Sequence, residues 1–139
     1  MKNQLTLLDR ALMTVTLSYR HHSTCVKRKV VALAAKEGRV LGWAVNHGNG
    51  ESCTCQPVEG LRHPHVHHAE EALKLKLGDG LEGSTVYVSY SPCDKCAKIL
   101  RDSGVVRVVY YEYSNYPEGL EILKSANIKV VGYVSKRNT

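Results

Sequence analysis

The sequence predicts an α/β domain in which a five-stranded mixed sheet carries helices on its faces, and three observations lead there. Two short apolar runs flank a four-residue turn, KEGR, early in the chain. From residue 67 onward helical and strand patterns alternate with short links. No stretch repeats, and none has the proline- and serine-rich composition of a linker. The 139 residues therefore read as one domain, 1–139, long enough to bury a single core.

Each element has its own reason. Over residues 3–20, Leu5, Leu8, Leu12, Val15 and Tyr19 recur at helical spacing. KVVALAA (29–35) and VLGWAVN (40–46) are apolar runs on either side of KEGR, which predicts an antiparallel hairpin. Residues 47–64 collect Gly, Asn, Cys, Pro and His and read as a loop. Loops of that length in small domains are usually functional or stapled. HHAEEALKLKL (67–77) reads as a helix stopped by Gly78, and STVYVSY (84–90) as a strand. CDKCAKILRDSG (93–104) is a helix ending on Gly104, followed by the strand VRVVYYEY (106–113). PEGLEILKSAN (117–127) is a helix opening on proline, and IKVVGYV (128–134) a last strand. Strand–helix–strand runs with short links imply right-handed parallel crossovers.

Composition narrows the function. Hydrophobic residues make up 43%, which suits a packed globule and excludes a disordered chain. No apolar run approaches the roughly 18–20 residues of a membrane span. Asp9 and Arg10 interrupt the N-terminal apolar stretch, so it lacks the clean apolar region of a signal peptide. A cytoplasmic location is expected, where thiols stay reduced. The net charge of +6 fits either a solubilising surface or an anionic ligand. Lys27, Arg28 and Lys29 cluster, as do Lys74 with Lys76 and Lys136 with Arg137. None forms the long basic block of a nucleic-acid tail or groove, which argues against a nucleic-acid partner.

Five cysteines in a reduced compartment read first as metal ligands or nucleophiles. Cys93 and Cys96 form a CxxC just after Pro92, at a strand-to-helix junction. They fall at i and i+3, on one face of a first helical turn. Free N–H groups and partial positive charge at a helix N-terminus favour thiolates, the metal-binding form. Alone, the spacing also fits a redox pair. HAE at 68–70 opens the neighbouring helix and supplies His68 as a third ligand. Three protein ligands with an open fourth position describe a catalytic zinc. Glu70 beside such a site is a proton shuttle. On a regular helix, residues i and i+2 point about 200° apart. His68 and Glu70 can both face a metal only if His68 sits at the helix entry. Glu71 is read as a solvated surface residue.

H-x-E followed by P-C-x-x-C is the signature of zinc nucleobase deaminases. Over residues 18–134 the chain resembles the deoxycytidylate (dCMP) deaminase family of the cytidine-deaminase-like superfamily. The resemblance rests on STCVKRKVVALAAKEGRVLGWAVN, on SPCDKCAKILRDSGVVRVVYYEY and on EGLEILKSANIKVV. It implies a three-layer α/β/α fold and an enzyme that converts dCMP to dUMP and ammonia for thymidylate supply. It implies catalytic zinc on His68, Cys93 and Cys96, with Glu70 moving protons. Asn46 matches an asparagine that contacts the sugar, Tyr113 an aromatic near the nucleotide, and Ser91 completes the expected substrate contacts. A homo-oligomer is implied as well. Two stretches depart from the family pattern: AVNH stands where Gly-Tyr-Asn-Gly is usual, and Ala72 stands at an asparagine place. These departures bear on the nucleotide and any triphosphate effector, not on the metal or Glu70.

Cys25, Cys53, Cys55, His63, His65 and His67 form a second concentration of ligand-type residues. Some family members hold a structural zinc through a cysteine at the Cys25 place and the following loop. Residues 47–67 are too polar and glycine-rich to fold by core burial, and a metal would tie them down. The expected ligands are Cys25, Cys53 and Cys55 with His63 or His65; surface histidines and a loose CxC are the alternative. Within the enzyme class, dCTP, a modified cytosine nucleotide, a nucleoside or a base in single-stranded nucleic acid are the alternative substrates. A catalytically inactive zinc-binding module is the alternative class, and it would have lost Glu70 or a ligand.

Overall fold

The computed structural model describes residues 5–23, 28–46 and 68–133. Cys25, Cys53, Cys55, His63 and His65 lie outside the described residues. Four helices and five strands are described: α1 (Leu7–Ser18), β1 (Val31–Lys36), β2 (Arg39–Val45), α2 (Ala69–Leu77), β3 (Thr85–Tyr90), α3 (Asp94–Asp102), β4 (Arg107–Glu112), α4 (Pro117–Ser125) and β5 (Lys129–Gly132). They form one mixed sheet of order β2-β1-β3-β4-β5. β1 pairs antiparallel with β2 and with β3, while β3–β4 and β4–β5 are parallel. This is the five-stranded mixed α/β sheet, with an antiparallel first hairpin, expected from the sequence. No helix among the described residues is long and apolar enough to cross a membrane.

The KEGR turn closes the first hairpin tightly. Lys36 pairs with Arg39, leaving Glu37 and Gly38 as a two-residue connection with φ of 51° and 78°. Two positive φ values match the right-handed twist of the strands. Side chains then alternate across the sheet. Ala32, Ala34, Val86, Val88, Val108 and Tyr110 face Leu73, Leu100, Leu120 and Leu123 of α2–α4. Leu33, Ala35, Tyr87, Val109 and Val131 face Leu12 and Met13 of α1. Both sheet faces are covered, which is why β1 reads as a continuous apolar run.

α1 departs from the expected face. Thr6 caps it: the Asp9 N–H donates to Thr6 Oγ1 at 3.0 Å, and the Thr6 N–H donates to Asp9 Oδ2 at 2.9 Å. This capping box starts the helix at Leu7 rather than residue 3. Its buried residues are Asp9, Leu12, Met13 and Thr16, whereas Leu8 and Val15 are exposed. Asp9 can be buried because Arg107 donates to both its oxygens, at 2.9 and 2.7 Å, and Tyr87 Oη donates at 2.7 Å. Burial pushes the Asp9 carboxyl up. Arg107, the Thr6 N–H and Tyr87 outweigh that and hold it well below the usual carboxylate range.

Candidate metal centre and active site

The two motifs meet at the N-termini of α2 and α3, on the sheet face that α2–α4 cover. β3 ends at Tyr90 and α3 begins at Asp94, so Cys93 is the residue that caps α3, and Cys96 lies one turn in. His68 is the N-cap of α2, with φ −77° and ψ 153°. This extended backbone lies outside the helix, so the opposition between positions i and i+2 does not apply. His68 and Glu70 are both directed to the same place.

His68 Nδ1 stands 3.2 Å from Cys96 Sγ and 3.8 Å from Cys93 Sγ. All three donor atoms fall within 4.8 Å of one another. A tetrahedral zinc at ordinary bond lengths sets an N···S separation of about 3.5 Å, which the two distances bracket. The electrostatics point the same way. Cys93 as a hydrogen-bond partner, burial and Glu70 all push the Cys96 thiol well up. Cys93 pushes the His68 imidazole up as well. Two buried thiols beside a buried carboxylate cannot share negative charge without a cation, and a bound dication reverses that pressure. The three residues therefore fit zinc in donor type, separation and charge. Among the described residues no other group of three metal-ligating side chains is gathered.

Glu70 is 4% exposed and its carboxyl contacts Cys96. Burial pushes it up to about 7, with Cys93 adding to the rise. A cation held by the neighbouring donors would draw this carboxyl back toward its ionised, proton-accepting form.

The other sequence-derived residues sit around this centre in unequal ways. Asn46 follows β2, and its amide is engaged with the protein itself. Its Oδ1 accepts from the Val30 N–H at 3.0 Å and Ser23 Oγ at 2.6 Å, while its Nδ2 donates to the Arg28 carbonyl at 2.8 Å. It clamps the chain entering β1. Ser91 is buried, with its Oγ 2.9 Å from Ser114 Oγ and accepting from the Ser114 N–H at 2.8 Å. That pair joins the β3–α3 turn to the β4–α4 turn. Tyr113, just after β4, is partly buried against the core on the site's side of the sheet.

Gly119, in the first turn of α4, went unnoticed in the sequence. A Cβ there would lie 2.9 Å from the Pro92 carbonyl carbon and 3.0 Å from that of Cys93, and closer still to the Pro92 oxygen. α4 thus rests its backbone directly on the Pro92–Cys93 peptide, which carries one of the three clustered donors. The sequence signal, a glycine inside an otherwise regular helical pattern, was present but says nothing about what approaches it.

The family model described as the cytidine and deoxycytidylate deaminase zinc-binding region matches residues 6–112. The chain belongs to this family. Among relatives in this deaminase family, deoxycytidylate deaminase of Enterobacteria phage T4 is 43% identical over 63 residues, covering 44% of this chain and 32% of that enzyme. The chain thus aligns with about a third of that relative's length. Deoxycytidylate deaminase of Mycobacterium phage D29 is 28% identical over 118 residues, covering 73% of this chain and 92% of its own. The crystal structure of dCMP deaminase from cyanophage S-TIM5, in complex with dCMP and dUMP, superposes with a TM-score of 0.80 at 26% identity. It covers 95% of this chain and 98% of that one. The zinc-binding region of the family contains the His68, Cys93 and Cys96 cluster.

Proposed function

We propose that the protein hydrolyses the 4-amino group of a cytosine deoxynucleotide, most simply dCMP to dUMP and ammonia. The observation that carries this reading is the buried Glu70 carboxyl beside the three-donor cluster of His68, Cys93 and Cys96. Family membership and the dCMP deaminases among its relatives support the choice of nucleotide.

His68, Cys93 and Cys96 would hold zinc, which as a Lewis acid lowers the pKa of water and makes it a nucleophile near neutral pH. Glu70 takes a proton from the attacking water and delivers it to N3 of cytosine. Oxygen bonds to C4, the C4–N4 bond breaks, and Glu70 helps pass a proton to the departing amine, which leaves as ammonia. The walls of α2 and α3 bury Glu70 and keep bulk water from competing for that proton. Asn46, Ser91 and Tyr113 are proposed to line the nucleotide side, with Asn46 and Ser91 acting by shaping the loops they tie. The protein is further proposed to act as a homo-oligomer in the cytoplasm.

The test is ammonia release from dCMP, dCTP, deoxycytidine, CMP and single-stranded DNA under identical conditions. The expected result is highest kcat/KM on dCMP, with the margin over deoxycytidine shrinking as salt rises. Equal rates on dCMP and deoxycytidine would overturn the nucleotide reading in favour of a nucleoside. No ammonia from any cytosine compound, with zinc present, would overturn the reaction itself.

A further inference from the structure

Glu71 stands next to the proton-shuttling Glu70 and has a different set of contacts. It is the third residue of α2, and its side chain is only 23% exposed. The expectation of a solvated surface carboxylate does not hold. Glu71 Oε1 accepts the backbone N–H of His68 at 3.0 Å. Its other oxygen, Oε2, meets Lys95 Nζ at 3.0 Å. Lys95 lies in the first turn of α3, between Cys93 and Cys96. One carboxylate therefore grips the residue that offers the imidazole and, through Lys95, the turn that offers both thiols.

We propose that Glu71 is a positioning residue for the metal centre, setting the backbone of His68 and bracing the start of α2 against the start of α3. Serine, threonine, aspartate or asparagine usually occupies an N-cap, and the shape of the chain at that point follows from its hydrogen bonds. Here the N-cap is His68, whose ring is directed at Cys96 and Cys93. Glu71 supplies the reverse half of a capping box, taking the N-cap N–H. That contact fixes the extended backbone of His68, and the backbone in turn aims the ring. A bond from an N–H to an ionised carboxylate is among the stronger hydrogen bonds. The Lys95 contact is weaker, because Lys95 is 57% exposed and solvent screens the pair. The N–H contact is thus the larger part and the Lys95 brace the smaller. Groups hydrogen-bonded to a ligating side chain typically change metal affinity about 10–100-fold when removed, and Glu71, acting on the same ligand through its backbone, is expected in the lower part of that range.

The inference rests on the zinc-holding reading of His68, Cys93 and Cys96, and the experiment separates the two. Zinc affinity of the full chain is measured by competition with a chromophoric chelator. The cobalt(II)-substituted protein is followed through its thiolate absorption, and the melting temperature is taken without metal. Glu71→Ala should weaken zinc binding about 10–100-fold and shift the cobalt spectrum. Glu71→Gln keeps an acceptor for the His68 N–H and should recover most of that loss. Lys95→Met should weaken binding by roughly 2–5-fold, the scale of an exposed ion pair. Wild-type zinc affinity and an unchanged cobalt spectrum in Glu71→Ala would reduce Glu71 to a helix cap and overturn the proposal. So would a Gln variant as weak as the Ala variant. If Glu71→Ala does not fold, Glu71→Met, similar in size but without an acceptor for the His68 N–H, takes its place: an about 10–100-fold weakening of zinc binding supports the proposal, and wild-type affinity with an unchanged cobalt spectrum overturns it. A wild-type chain that binds no zinc overturns the metal reading itself.

Discussion

Replacing Gly119 with alanine adds a single methyl group at the point where α4 meets the metal-bearing turn. The added carbon would lie 2.9 Å from the Pro92 carbonyl carbon and 3.0 Å from the Cys93 carbonyl carbon. Carbon atoms pack best at about 3.5–4.0 Å. The Pro92–Cys93 peptide must therefore retreat by roughly 0.5–1 Å, and further at the oxygen, or α4 must lift away. Gly119 does not have a positive φ, so the obstacle is space and not backbone conformation. Helix propensity works in the other direction, favouring alanine over glycine by about 1 kcal/mol. Overpacking costs typically 1–3 kcal/mol. Because every clashing atom is backbone, the overpacking cost lies at or above the upper end of that range and outweighs the propensity gain, a net loss of roughly 2 kcal/mol or more. The chemistry suffers as well, since a displacement near 1 Å in a catalytic constellation can cost about 10²-fold in rate. Thermal melts and ammonia release from dCMP at saturating zinc measure the two separately. A variant with wild-type kcat and an equal or higher melting temperature would refute the claim that α4 holds the Cys93 turn in place.

Glu70→Gln should keep fold and zinc, because Glu70 is not among the three donors, and should lose about 10²–10⁴-fold in turnover; zinc analysis and ammonia release on the same sample check both halves. Asp9 titrates below its unfolded value of about 3.9, so its contribution to stability is fully present above that pH and is lost as pH falls toward the folded value. Asp9→Asn removes the carboxylate that accepts from Arg107 and Tyr87 and should cost about 3–5 kcal/mol at pH 7. The gap to wild type in urea melts should narrow below about pH 4, and a gap independent of pH would refute this. Elemental analysis should find two zinc ions per chain if Cys25, Cys53 and Cys55 hold a structural metal with His63 or His65, and a fully active protein with one would confine zinc to the His68 centre.

The strands and the order of elements were legible because local pattern alone encodes them. Alternating apolar runs, KEGR between two of them, and Gly78 and Gly104 after helical stretches are short-range signals. The gathering of His68, Cys93 and Cys96 beside Glu70 was legible for a chemical reason: few arrangements other than a metal centre explain Pro92-Cys93-x-x-Cys96 paired with His68-x-Glu70. What the sequence hid were partnerships between distant residues. Asp9 looked like an interruption of α1, and its burial makes sense only with Arg107, 98 residues away, beside it. Glu71 looked solvated because Lys95 belongs to another helix. Ser91 was expected to face a ligand, and its Oγ is engaged with Ser114, 23 residues on.

The Asp9–Arg107–Tyr87 seam lies on the α1 side of the sheet, at the strand ends where β3 and β4 begin. The metal-bearing turn follows the opposite end of β3, on the opposite side. Tyr87, the seam's member on β3, lies three residues before Tyr90 at the far end of the strand, about 10 Å at 3.3–3.4 Å per residue, and the turn to Cys93 follows beyond it. Substitutions that far apart add with little coupling. The molecule thus keeps its main polar anchor and its chemistry at separate poles. Selection, or an engineer, can raise thermal tolerance at the α1 pole as a reserve against which riskier changes of substrate preference at the other pole are tolerated.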